Sequence, residues 1–113
     1  MLICSRFENI IPMHIISYKK IRKFSVKHPD AESPLNHWYR IVKHEEFKMF
    51  ADVKELFKTA DQVQNFVVFN IGGNKYRLIA FIRYQTKCLY IRHILTHKEY
   101  NNEKWKKDKW FMK

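Results

Sequence analysis

The sequence predicts an α+β domain, an N-terminal strand and two to three helices packed on one face of a small antiparallel β-sheet. Three observations lead there. Between Tyr18 and Phe57 the apolar residues recur at helical spacing, and after Asp61 the period becomes that of a strand. The connections after Asp61 are too short for helical crossovers, so the strands they join run antiparallel. The order strand, helices, strands places the helices together on one side of the sheet and leaves its other face open.

The first strand is expected at residues 14–17, in the run Met13-His14-Ile15-Ile16-Ser17. Ile21, Phe24 and Val26 then mark a helix over 18–27, whose other faces carry Lys19, Lys20, Arg22, Lys23 and Lys27. Pro29 ends it. Asp30 or Ser33 reads as the cap of a second helix with Pro34 at its first position. That helix sets Leu35, Trp38, Tyr39, Ile41 and Val42 on one stripe, with Trp38 and Tyr39 expected in the core. Phe50, Val53, Leu56 and Phe57 mark a third helical segment. Phe66-Val67-Val68-Phe69 is a β-branched and aromatic strand. Gly72-Gly73-Asn74 suits a tight turn, since glycine adopts positive φ and asparagine tolerates it. Strands over 75–84 and 88–95 follow, joined by Gln85-Thr86-Lys87. Residues 97–113 are rich in lysine and read as a short helix or a tail. Trp105 and Trp110 either pack back on the sheet or meet a partner.

At 113 residues, with 46% hydrophobic and 16% aromatic side chains, the chain suffices for one core. Residues 13–102 are expected to form the domain, 1–12 an N-terminal extension upstream of a fresh start at Met13, and 103–113 a basic tail. The 22 Lys and Arg against 11 Asp and Glu give +11, which favours phosphate backbones or anionic surfaces as partners. Asp30 through Asp61 carry seven of the 11 acidic residues, whereas no acid lies between Gln62 and His97. Cys4 and Cys88 lack metal-ligand spacing and are expected as buried free thiols. The histidines lack zinc spacing, and neither metal nor cofactor is expected. No stretch approaches the roughly 18 apolar residues of a membrane span. Arg6, Glu8 and Asn9 interrupt the apolar N-terminus, so a cytoplasmic location without a signal peptide is expected.

Alternation along the strand over 75–84 puts Lys75, Arg77, Ile79, Phe81 and Arg83 on one face and Tyr76, Leu78, Ala80, Ile82 and Tyr84 on the other. The second set is apolar enough to meet the helices. On the next strand Tyr90 and Arg92 share a face opposite Leu89, Ile91, His93 and Leu95. Lys75, Arg77, Arg83 and Arg92 are therefore expected to form one basic surface with Tyr90 among them, suited to single-stranded RNA. His97 and Tyr100 follow the last strand. RNA cleavage by its own 2′-hydroxyl needs a base, an acid and cations for the phosphorane, and histidine is the natural proton-transfer group near neutral pH.

Several ordered motifs strengthen this reading. Phe69-Asn70-Ile71-Gly72-Gly73-Asn74-Lys75-Tyr76-Arg77-Leu78, and Tyr90-Ile91-Arg92 followed by Thr96-His97-Lys98-Glu99-Tyr100, resemble the HigB family of toxins within the RelE-like superfamily of messenger-RNA interferases. His28-Pro29-Asp30-Ala31, Leu35-Asn36-His37-Trp38-Tyr39 and Ala51-Asp52-Val53-Lys54 extend the likeness, which spans Met13 to about Asn102. The resemblance implies a RelE/ParE-like fold, ribosome-dependent cleavage of messenger RNA, and a HigA-type antitoxin with a helix-turn-helix. It implies that Arg77 steadies the scissile phosphate, that Tyr100 and His97 serve proton transfer, and that Lys75 binds phosphate or assists catalysis. Asn74, Arg83, Tyr90, Arg92 and Lys98 are the expected RNA contacts. The family often has Asp after the final Tyr, where this chain has Asn101. Two other functions fit the charge: a basic RNA- or ribosome-binding module without chemistry, and a ParE-like toxin that inhibits gyrase. The set Lys75, Arg77, His97 and Tyr100 favours the ribonuclease, because a gyrase binder has no need of proton-transfer groups.

Overall fold

The computed structural model describes residues 12–112. The extension expected over 1–12, except Pro12, lies outside the described residues, as does Cys4. The chain runs β1 (His14–Ile16), α1 (Lys19–Lys27), a 3-10 turn (Pro29–Ala31), α2 (Glu32–Lys43), α3 (Phe50–Leu56) and β2 (Asp61–Val63). It continues through β3 (Phe66–Ile71), β4 (Tyr76–Arg83), β5 (Cys88–Thr96), α4 (His97–Asn101) and a second 3-10 turn (Lys104–Lys107). Among the described residues the strands form one sheet in the order β1-β5-β4-β3-β2.

The α+β class stands, and β3, β4 and β5 form the expected antiparallel meander. The sheet is mixed, because β1 pairs parallel with β5, His14 opposite Cys88 and Ile16 opposite Tyr90. The helical segment between β1 and β5 makes that parallel register possible. Strand β2 adds an edge that three residues without alternation did not signal. It pairs with β3 through a turn at Gln64, which has φ 54°.

The helices cover one face. Ile21, Leu35, Trp38, Val42 and Val53 meet Val67, Phe69, Leu78, Ala80, Leu89 and Ile91 in the main core. Trp38 is fully inside, as expected, and sets its ring 5.3 Å from that of Phe69. Tyr76, Leu78, Ala80 and Ile82 face the helices as the alternation required. Cys88 is a half-buried free thiol.

The opposite face is not open. Residues 103–112 fold back over it, and Trp105 and Phe111 build a second core with Phe66, Val68 and Ile79. The continuous apolar run of β3 fits this arrangement, since a strand covered on both faces needs no polar side. A β-bulge near Ile79 secures the covering segment. Ile79 pairs with His93 and Ala80 with Ile91, leaving Arg92 as the extra residue. Strict alternation separates Arg92 from His93. The bulge instead brings both to Asp108, whose carboxylate accepts from Arg92 Nε at 2.9 Å and Nη2 at 2.8 Å and lies 2.9 Å from His93 Nε2. The Trp110 backbone N–H also donates to it at 2.9 Å, and the Trp110 ring lies 3.9 Å from the Arg92 guanidinium carbon.

Burial alone would raise the Asp108 pKa, but the hydrogen bonds from Arg92, Trp110 and His93 hold it at about 2. Burial lowers that of His93 against the pull of Asp108. Both values are depressed on folding, so each group's contribution is present above its unfolded value and is lost as the pH falls. The loss begins near 6.5 for His93 and near 3.8 for Asp108, ending near about 2 for the latter. Asp108→Asn is therefore expected to lower the urea unfolding free energy at neutral pH by on the order of 1–2 kcal/mol. The variant should also lose less stability than the parent between about pH 4 and pH 2; identical acid profiles would show that Asp108 is not clasped in solution.

Candidate anion-handling site at the hairpin end

The β3–β4 turn takes its shape from Gly72 (φ 61°) and Gly73 (φ 71°), a backbone region costly for residues with a Cβ. It brings the start of β4 beside the end of β5, with Tyr76 opposite Thr96 and Arg77 opposite Leu95. Helix α4 then starts at once, held by a capping box. The Thr96 hydroxyl accepts from the Glu99 N–H at 3.1 Å, and the Glu99 carboxylate accepts from the Thr96 N–H at 2.9 Å. The His97 N–H donates to the Lys75 carbonyl at 3.2 Å, which ties α4 to the turn.

Arg77 lies at the centre. The residue is only 9% exposed, yet no Asp or Glu oxygen comes within 4.0 Å of it among the described residues. Its Nη1 donates to the carbonyls of Asn74 at 2.9 Å and Tyr76 at 3.3 Å. The Tyr100 ring covers it, 5.1 Å from the guanidinium carbon. Among the described residues Nε and Nη2 make no hydrogen bond. A nearly buried cation held only by carbonyl dipoles and a π face is prepared to take an anion, because a charge out of water gains most from a direct partner.

Tyr100 is held from below. Trp105 stacks on it at 5.3 Å with 10° between the planes, and its indole N–H donates to the Tyr100 carbonyl at 3.0 Å. His97 is exposed one turn before Asn101, whose Nδ2 lies 3.0 Å from His97 Nδ1. The pair shares one helix face at i and i+4. Asn101 thus orients the ring. The orienting roles of Asn101 and Trp105 were not assigned from the sequence. The i,i+4 spacing could have suggested the first, but nothing local signals the second.

The remaining expected residues separate. The side chain of Lys75 does not join Arg77. Regular alternation begins only with Tyr76, and the Lys75 amine turns to Asp30 of the first 3-10 turn. The Tyr76 hydroxyl donates to the other Asp30 oxygen at 2.6 Å. Asp30 therefore clamps the hairpin, and α2 starts without a side-chain cap. Asn74 and Lys98 are exposed near the turn and on α4. Arg83 is exposed at the far end of β4, six residues and about 20 Å along the strand from Arg77. Tyr90 and Arg92 lie against Trp110 and Asp108, so one continuous basic surface through all of these residues does not form.

The fold and the site define a small, strongly basic α+β domain that gathers an arginine, a tyrosine and a histidine around one hairpin end. Residues 31–103 match the HigB toxin family, described as the RelE-like toxic component of a toxin–antitoxin system. The mRNA interferase HigB of Escherichia coli O6:H1 (strain CFT073) is 30% identical over 92 residues, covering 79% of this chain and 89% of that protein. The mRNA interferase toxin HigB of Escherichia coli K12 and the mRNA interferase HigB of Shigella flexneri are also 30% identical, each covered over 88% of its length. The chain belongs to the HigB toxin family. The family match ends at residue 103, so the segment carrying Trp105, Asp108 and Trp110 lies beyond it.

The hydrogen bonds from Lys75 and Tyr76 lower the Asp30 pKa, and hydrogen bonding to Asp30 raises those of Lys75 and Tyr76. A carboxylate neighbour favours the ammonium and opposes the phenolate, so both shifts have the expected sign. In Asp30→Asn the midpoints of Lys75 and Tyr76 should fall toward 10.5 and 10.0 in an NMR titration. Unchanged midpoints would place the three groups apart in solution.

Proposed function

We propose that this chain is the toxin of a toxin–antitoxin pair and an endoribonuclease that cleaves messenger RNA on the ribosome, in the cytoplasm. The observation that carries the reading is Arg77: a nearly buried guanidinium without a carboxylate, capped by Tyr100 and beside the helix of His97. The names of the relatives point to the same substrate.

The chemistry needs no oxidant and balances within the RNA strand. The 2′-oxygen attacks the adjacent phosphorus as its proton passes to a base, and the P–O5′ bond breaks as the 5′-oxygen takes a proton. The products are a 2′,3′-cyclic phosphate and a free 5′-hydroxyl. Arg77 offers Nε and Nη2 to the oxygens that gain charge in the phosphorane, which is worth most in a site shielded from water. His97 and Tyr100 supply the proton-transfer pair. Asn101 fixes the imidazole, and Trp105 fixes the plane of the phenol. Asn74 and Lys98 flank the strand at the turn. Lys75 lies at the same end, where its pairing with Asp30 fixes the hairpin. Arg83, Tyr90 and Arg92 lie farther along the sheet, outside the reacting phosphate's reach.

Arg77→Ala and Tyr100→Phe are each expected to lower cleavage of ribosome-bound messenger by about 10²–10³-fold, the scale of one lost charge-stabilising donor. His97→Ala should lower it and shift the pH–rate profile. Cleavage should persist in EDTA once the ribosomes are fixed in place by cross-linking. Undiminished cleavage by both Arg77→Ala and His97→Ala would overturn the site. Cleavage of free RNA at an equal rate would overturn the ribosome dependence.

A further inference from the structure

The described surface holds a groove that the proposed chemistry does not use. It lies where β1 ends. That strand covers only Cys88–Tyr90 of β5, and Ser17, at φ 80°, turns the chain off the edge into α1. From Ile91 to Thr96 the outer edge of β5 has no neighbouring strand among the described residues. Helix α1 stands over this free edge and forms with it a groove of about 520 Å³. Its floor is apolar, from Phe24, Val26, Ile94 and Leu95, and its rim carries Lys20, Lys23 and Lys27; Arg92 and His93 also line it but are already held by Asp108. Val26 is 81% exposed on an otherwise polar helix face. Lys20 already spans the groove's inner end, donating to the Arg92 carbonyl at 3.1 Å.

We infer that this groove receives an extended, acidic segment of the antitoxin, added as a strand along the free edge of β5 in line with β1. The inference rests on family membership, which supplies an antitoxin, and does not depend on the cleavage chemistry. Three features select this occupant. A free strand edge offers main-chain hydrogen bonds to an extended peptide, and pockets for alternate side chains give specificity. The aliphatic floor suits apolar side chains at every second position. The rim of cations without an acid suits carboxylates between them. An RNA strand fits less well. The lining has no amide or hydroxyl side chain to read bases, its imidazole, His93, is held by Asp108 at 2.9 Å, and its one benzene ring, Phe24, is engaged by His28 and Tyr76 at 4.5 and 5.2 Å. A second copy of the chain would set like charges against one another.

The test uses the full chain and its cognate antitoxin, with the double variant Lys23→Glu/Val26→Glu. Both positions are exposed, so the variant should melt like the parent. Its antitoxin affinity is expected to fall by about 100-fold, the range for reversing charge and removing an apolar anchor at an interface. RNA cleavage without antitoxin should stay unchanged. In the unaltered complex the amides of His93–Leu95 should exchange more slowly with deuterium than in the free toxin. Binding within about threefold of the parent, or exchange at those amides that antitoxin leaves unaltered, would overturn the proposal. Lost cleavage with intact antitoxin binding would assign the groove to RNA instead. Slowed exchange that appears only on concentrating the toxin alone would assign it to a second copy. A chain that binds antitoxin through this groove but cleaves no RNA would sink the ribonuclease reading and leave the docking site standing.

Discussion

The arrangement depends on one carboxylate. Asp108 is nearly enclosed, with 4% of its side chain exposed, and it receives donors from Arg92, His93 and its own chain. It pins the C-terminal segment to the sheet. Trp105 consequently lies beneath Tyr100, and Tyr100 lies over Arg77. A buried ion pair is weak evidence for net stability, since desolvation offsets much of the attraction. Its value here is geometric: it fixes one registry of the segment on the sheet. The second core of Trp105, Phe111, Phe66, Val68 and Ile79 supplies the hydrophobic gain that the ion pair does not.

The chain separates charge by function. Asp30 and Asp108 neutralise Lys75 and Arg92, the cations that hold structure together. Arg77 receives no such partner among the described residues. A protein with twice as many basic as acidic residues can leave most of its surface cations unpaired. Leaving a nearly buried one unpaired is different, because water no longer solvates it fully. That difference distinguishes Arg77 from Arg83, which is exposed at the far end of the same strand. It also separates two anion-seeking regions, the hairpin end with its shielded arginine and the lysine-rimmed groove beside α1.

Membership of the HigB family accounts for the hairpin motif and for α4, both within the matched residues 31–103. It does not account for the carboxylate of the clasp, since Asp108 lies beyond the match while its partners Arg92 and His93 lie within it. The support of Tyr100 by Trp105 therefore comes from a part of this chain that the family description leaves aside. Among the described residues no helix is long and apolar enough to cross a membrane.

The sequence by itself determined the α+β class, the hairpin with its Gly-Gly turn, the three-strand meander and the helix face of β4. These follow from periodicities and turn chemistry that act over a few residues. It also brought Arg77, His97 and Tyr100 to notice, through motif spacing. Only the tertiary structure decided that the second sheet face is covered, that Lys75 serves Asp30, and that Arg92 and His93 share a carboxylate. Asp30 and Lys75 are 45 positions apart and Arg92 and Asp108 are 16 apart, so no local pattern records either pairing. The bulge at Arg92 is the physical reason the alternation failed: one extra residue in β5 reverses which side chains face which core.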